Sequence, residues 1–125
     1  MPARLPYEAK ALPFQKPLVG LSDRAMAIHH DKLYAGYVAK MNETAEKLKL
    51  MNETGLGLES ANQSYCELRA LRDAETFVTN GVYLHENYFN LLGGDGLPSG
   101  ILISALAEKY SSLEKFIAFF SATGL

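Results

Sequence analysis

Hydrophobic and polar positions divide the chain into five stretches. Residues 1–21 show no helical period and hold four of the five prolines, Pro2, Pro6, Pro13 and Pro17. Proline removes a backbone donor and disfavours helix in the residue before it, so an extended arm is predicted. Leu5, Tyr7, Leu12, Phe14, Leu18 and Leu21 give that arm apolar side chains to pack with. Ser22 is a suitable N-cap and Asp23 complements the positive helix end. From there to position 50, Met26, Leu33, Tyr37, Met41, Ala45 and Leu48 recur in steps of three, four and seven. That spacing predicts a long helix with one buried face. The stretch 52–57, with two glycines, reads as the turn that ends it. A second long helix is predicted over 59–92. Leu68, Leu71, Glu75, Val78, Val82, His85, Phe89 and Leu92 step by three and four, the seam of an antiparallel hairpin. Gly81 inside it costs roughly 1 kcal/mol against alanine and suggests a close approach. Gly93, Gly94, Asp95 and Gly96 end the helix.

Two short helices follow. One, over 99–109, carries Ile101, Leu102 and Leu106, with Tyr110 next. The other starts at Ser111 with Glu114 three residues on, a capping-box pattern, and carries Leu113, Phe116, Ile117 and Phe120. No strand pattern and no internal repeat is present. The predicted fold class is all-α: an extended arm (1–21), a long antiparallel helical hairpin (22–92) and two short C-terminal helices (93–125), in one domain.

Composition narrows the function classes. At 125 residues the chain is one domain's worth, long enough to bury a core. Twelve basic against 14 acidic residues argue against non-specific nucleic-acid binding. No apolar run approaches the ~20 residues of a membrane span. The first ten residues lack the apolar core of a signal peptide, so a cytoplasmic chain is expected. A single cysteine, Cys66, excludes an internal disulfide framework and a multi-cysteine zinc site.

Three histidines remain: His29, His30 and His85. His29 lies ~25 residues before the hairpin turn and His85 ~28 after it, an offset of about one helical turn. The two imidazoles can therefore converge between the helices, where bundles build metal sites. The competing reading is a buried histidine satisfied by a neighbour, and two histidines alone do not close a metal site. His30 stands ~100° round the helix from His29, so both cannot face one metal. Tyr37 lies two turns on and offers a phenol as a proton donor or acceptor. By helical angle it is nearer His30 than His29, which leaves the ligand choice open. There is no phosphate-binding glycine loop and no nucleophile elbow. Cys66, with no nearby cation before Arg69, reads as a packed thiol.

At these histidines the sequence resembles the iron/manganese superoxide dismutase family. The resemblance is carried by LPYEAKAL in the arm, IHHDKLYAGYVAKMNE (28–43), GVYLHENYFNLLGG (81–94) and YSSLEKFIAFFSATG at the end, in order over nearly the whole chain. It implies that His29 and His85 are the first two metal ligands, on the two long helices, and that Tyr37 is the tyrosine at the substrate gateway. Tyr88 and Phe89 match the aromatic pair after the second ligand. Gly81 falls where some members place a glutamine and others a glycine. Leu33 replaces the gateway histidine of many members, and Leu84 the common asparagine before the second ligand.

The family's α/β domain supplies an aspartate and a third histidine. No Asp-x-x-x-His motif occurs in these 125 residues. The resemblance thus implies one iron or manganese ion, superoxide as substrate, and ligands completed by a C-terminal domain or by a separate chain carrying it. Two other readings stand beside it. In one, a homo-oligomer shares a four-histidine metal site. In the other, the chain is a non-enzymatic helical module whose apolar surface, above all EKFIAFF, meets a partner.

Overall fold

A computed structural model describes residues 6–124, so Leu5 and its neighbours lie outside the described residues. The fold is all-α. The elements are α1 (Asp23–Ala27), a π-helical segment (Ile28–Tyr34), α2 (Ala35–Thr54), α3 (Glu67–Asn90), α4 (Ile101–Tyr110) and α5 (Leu113–Thr123). No strand occurs among the described residues. Among the described residues no helix is long and apolar enough to cross a membrane. The chain divides into two compact units, residues 1–93 and 94–125.

In the first unit Ser22 caps α1, its hydroxyl accepting from the Ala25 amide at 3.1 Å. The helical path continues through the π-helical segment to Thr54. Gly55, at φ 71°, then takes the left-handed conformation that ends α2, its amide donating to the Met51 carbonyl. α3 starts at Glu67 rather than near position 59. The reason is Asn62, whose side-chain oxygen accepts from the Ser64 and Tyr65 amides at 2.9 and 2.8 Å. Such local bonds compete with helix.

α2 and α3 run antiparallel, with Tyr34 meeting Glu86 and Tyr37 meeting Phe77. Their core is Met26, Tyr34, Val38, Met41, Val78, Val82 and Phe89. Of the predicted face of the first helix, Met26 and Met41 are buried but Leu33 is 53% exposed, and Tyr34 takes its place with no exposed surface. The π-helical segment is the cause, because its wider turn moves the apolar stripe on by one residue.

The arm packs on the hairpin through Tyr7, Leu12, Phe14 and Leu18. Polar contacts hold it as well: the Tyr7 amide donates to Asn42 at 2.7 Å, and the Asn42 side chain donates back to the Tyr7 carbonyl at 2.8 Å. Gly93, at φ 85°, lets the chain pass Phe14, whose Cβ lies where a side chain at 93 would begin.

In the second unit, Ser111 does not cap α5. It ends α4 in the left-handed conformation at φ 69°, and Ser112 caps α5 by accepting from the Lys115 amide at 3.1 Å. The cap is thus one residue later than the capping-box pattern placed it, and Glu114 does not reach the third helical position. Tyr110 packs against Phe116 and Phe119, with ring centroids 5.2 and 5.5 Å away. Ile101, Leu102, Ile117, Phe119 and Phe120 remain exposed.

These burials set a stability contrast. Phe89→Ala should cost about 3–5 kcal/mol, whereas Phe120→Ala should stay within roughly 0.5 kcal/mol. Urea titrations of both variants check this, with a fall in midpoint at unchanged slope expected only for Phe89→Ala.

Candidate metal centre

The two histidines picked from the sequence come together. The His29 and His85 imidazoles sit with centroids 4.9 Å apart, edge to face. Tyr88 and Phe89 lie against His29 at 5.1 and 5.2 Å. Tyr37 lies against His85 at 5.2 Å, with Phe77 behind it at 5.8 Å.

The π-helical segment is what arranges this. A π turn advances each residue by roughly 80° instead of 100°, so Tyr37 lags by ~100° relative to His29 on an ideal α-helix. That lag removes Tyr37 from the side of His30 and puts it with His29, both against His85. The angular ambiguity of the sequence is thereby resolved in geometry. His30 faces the arm instead. Its Nδ1 is 2.6 Å from the Asp31 carboxylate and its Nε2 is 2.8 Å from the Lys10 carbonyl. With both ring nitrogens engaged, it has none to offer a metal.

His85 is different. Its Nδ1 donates to the Gly81 carbonyl at 2.6 Å, which selects the tautomer with a lone pair on Nε2. Burial pushes the His29 pKa down, and the neighbouring His85 lowers it further. Both influences favour the neutral, ligating imidazole. The pair fits a transition metal as two imidazole nitrogen donors, with one ring held by the backbone as metal-bound histidines commonly are. Among the described residues no third histidine, cysteine or carboxylate joins them in a group able to hold an ion.

Gly81 has a second task. A Cβ built on it would lie 2.7 Å from Tyr37 Cε1 and closer still to Cδ1. The Tyr37 ring therefore occupies the space a side chain at 81 would need. The close approach read from this glycine is real, and its partner is Tyr37.

Two residues of the surroundings escaped the sequence reading. Tyr34 and Glu86 are both buried, and the Tyr34 hydroxyl donates to Glu86 at 2.8 Å. The available signal was position: Val78, Val82, Glu86 and Phe89 form one stripe of α3, on which a glutamate must be buried.

A double-mutant cycle tests the Gly81 contact. In a Tyr37→Ala background, Gly81→Ala should stabilise by about 1 kcal/mol through helix propensity. In the wild-type background it should destabilise, because the Tyr37 ring must move. Equal effects in both backgrounds, read by chemical denaturation, would show that the contact carries no energy.

The helical hairpin agrees with comparisons to known proteins. Residues 2–93 match the family described as iron/manganese superoxide dismutases, alpha-hairpin domain. The chain is 42% identical over 99 residues to the iron superoxide dismutase of Aquifex aeolicus, covering 78% of this chain and 46% of that protein. It is 32% identical over 119 residues to that of Cupriavidus metallidurans, covering 94% and 57%. Against the mitochondrial manganese superoxide dismutase of Schizosaccharomyces pombe it is 34% identical over 118 residues, covering 90% and 47%. The chain spans about half the length of these curated relatives. With a hairpin of this architecture and a family match over most of its length, the chain belongs to the iron/manganese superoxide dismutase family and carries its α-hairpin domain.

Proposed function

We propose that this chain supplies the helical half of a superoxide dismutase centre, with His29 and His85 holding one iron or manganese ion. The observation that carries the reading is the imidazole pair at 4.9 Å, with His85 Nδ1 committed to the Gly81 carbonyl and Nε2 left to ligate. Relatives named as iron and as manganese enzymes support either metal. The chemistry such an ion supplies when bound is one-electron cycling, which sends one superoxide out as dioxygen and the next as peroxide.

The chain's own residues do the rest. His29 and His85 present imidazole nitrogens from two packed helical segments, which sets their separation before a metal arrives. Tyr37 stands beside His85 and in front of Phe77, so its phenol can hold or pass a proton where substrate approaches. Tyr88 and Phe89 exclude water from the edge of His29. The family's remaining aspartate and histidine are not in this sequence. They come, in this reading, from the family's C-terminal domain, whether on the same polypeptide or on a partner chain.

Elemental analysis after loading with Fe(II) or Mn(II) tests the assignment. Wild-type protein and His30→Ala should retain metal, while His29→Ala and His85→Ala should each lose most of it. Unchanged metal in His85→Ala would overturn the ligand assignment. About one metal per two chains would point instead to a homo-oligomer sharing four histidines. Dismutase assays add the second arm. The chain alone should show little activity, and addition of a chain bearing the Asp-x-x-x-His ligands should restore it. Robust turnover by the 125-residue chain alone would refute the need for a partner.

A further inference from the structure

Glu86 is a carboxylate that the metal reading leaves without a task. It is buried, and it follows His85 directly in α3. Three donors converge on it. Tyr7 and Tyr34 hydroxyls reach Oε1 at 2.7 and 2.8 Å, and Lys10 Nζ reaches Oε2 at 2.5 Å. A buried carboxylate persists only when its acceptor sites are filled in this way.

Tyr34 is the middle member of the network. Its hydroxyl donates to Glu86 while accepting from the Lys10 amide at 2.9 Å, and its ring has no exposed surface. That same ring stacks on His85, with centroids 6.2 Å apart and planes 30° from parallel. It also meets Phe89 edge to face at 5.7 Å. Two phenol rings therefore stand against His85. Tyr34 is the one pinned at its hydroxyl by two hydrogen bonds. The arm takes part throughout, since His30 Nε2 also holds the Lys10 carbonyl at 2.8 Å.

We infer that Glu86 is a positioning residue for the His29/His85 pair: by pinning the Tyr34 hydroxyl against the arm residues Tyr7 and Lys10, it fixes the wall on which the His85 imidazole stands. The inference rests on the metal reading above. It makes the arm part of the centre's support, because two of the three donors to Glu86 come from it. Residues that orient a ligating histidine typically change metal affinity by roughly 10–100-fold when replaced.

Titration of the full 125-residue chain with Co(II), followed by visible absorption, tests this. Glu86→Gln keeps the shape but sets an amide against three donors. Tyr34→Phe keeps the ring and removes its hydroxyl. Met51→Ala, buried at the other end of α2 beside Gly57, is the stability control. Wild-type chain should bind Co(II) with ligand-field bands. Glu86→Gln and Tyr34→Phe should bind roughly tenfold more weakly or worse, with shifted bands. Met51→Ala should lower the melting temperature and leave affinity and bands unchanged. Wild-type affinity and bands in both site variants would overturn the positioning role, as would an equal loss in Met51→Ala. No Co(II) binding by the wild-type chain would overturn the metal reading itself, and this inference with it. If Glu86→Gln does not fold, Tyr34→Phe decides.

Discussion

A wide turn of backbone over Ile28–Tyr34 governs which side chains of the first helical stretch meet α3. An α-helix keeps one stripe of residues facing its partner, and a π-helical segment displaces that stripe. The residues just beyond the segment inherit the displacement. Tyr34 and Val38 enter the core in place of Leu33 and Tyr37, and Tyr37 is left half-buried beside His85. His29 and His30 are adjacent in sequence yet belong to different surroundings. One faces His85, and the other is held by Asp31 and the arm. π-helical segments are rare and recur at functional sites, and here the segment carries the first of the two candidate ligands.

Burial of one charge then organises the arm. Glu86 lies on the apolar stripe of α3, where an unpaired carboxylate would be strongly disfavoured. Burial by itself would raise its pKa, but hydrogen bonds from Lys10, Tyr7 and Tyr34 outweigh that and hold the carboxyl below its ordinary value. The same pairing pushes the Lys10 pKa up, through its hydrogen bond to Glu86 first. Burial raises the Tyr34 pKa to about 12, so this phenol stays protonated and donates. A proline-rich segment with no regular structure of its own is thus fastened to both long helices by side chains of α3 and the π-helical segment.

The two units differ in what they enclose. The hairpin and arm bury a continuous core, including two residues with no exposed surface, Tyr34 and Val82. The pair α4 and α5 buries none of its residues, because two short helices cannot surround a side chain. The exposed aromatic face expected from EKFIAFF follows from this, with Phe119 and Phe120 more than half exposed.

Local pattern alone determined the all-α class, the order of the helices and the extended arm, and it brought His29 and His85 to matching heights on the two long helices. These depend on periodicity, caps and helical rise, which are short-range and written in neighbouring residues. The hairpin seam on α3 was legible for the same reason, through Val78, Val82 and Phe89. Local hydrogen bonds outside the periodic pattern, and then tertiary structure, decided the rest. Asn62 delayed α3 by bonding to its own loop, and Ser112 displaced Ser111 as a cap by a one-residue difference in backbone conformation. The place of Tyr37 against Gly81, and the burial of Tyr34 with Glu86, depend on a π-helical register that no local period announces. Register is chosen by the whole interface at once, since each helix must satisfy the packing and the hydrogen bonds of the other.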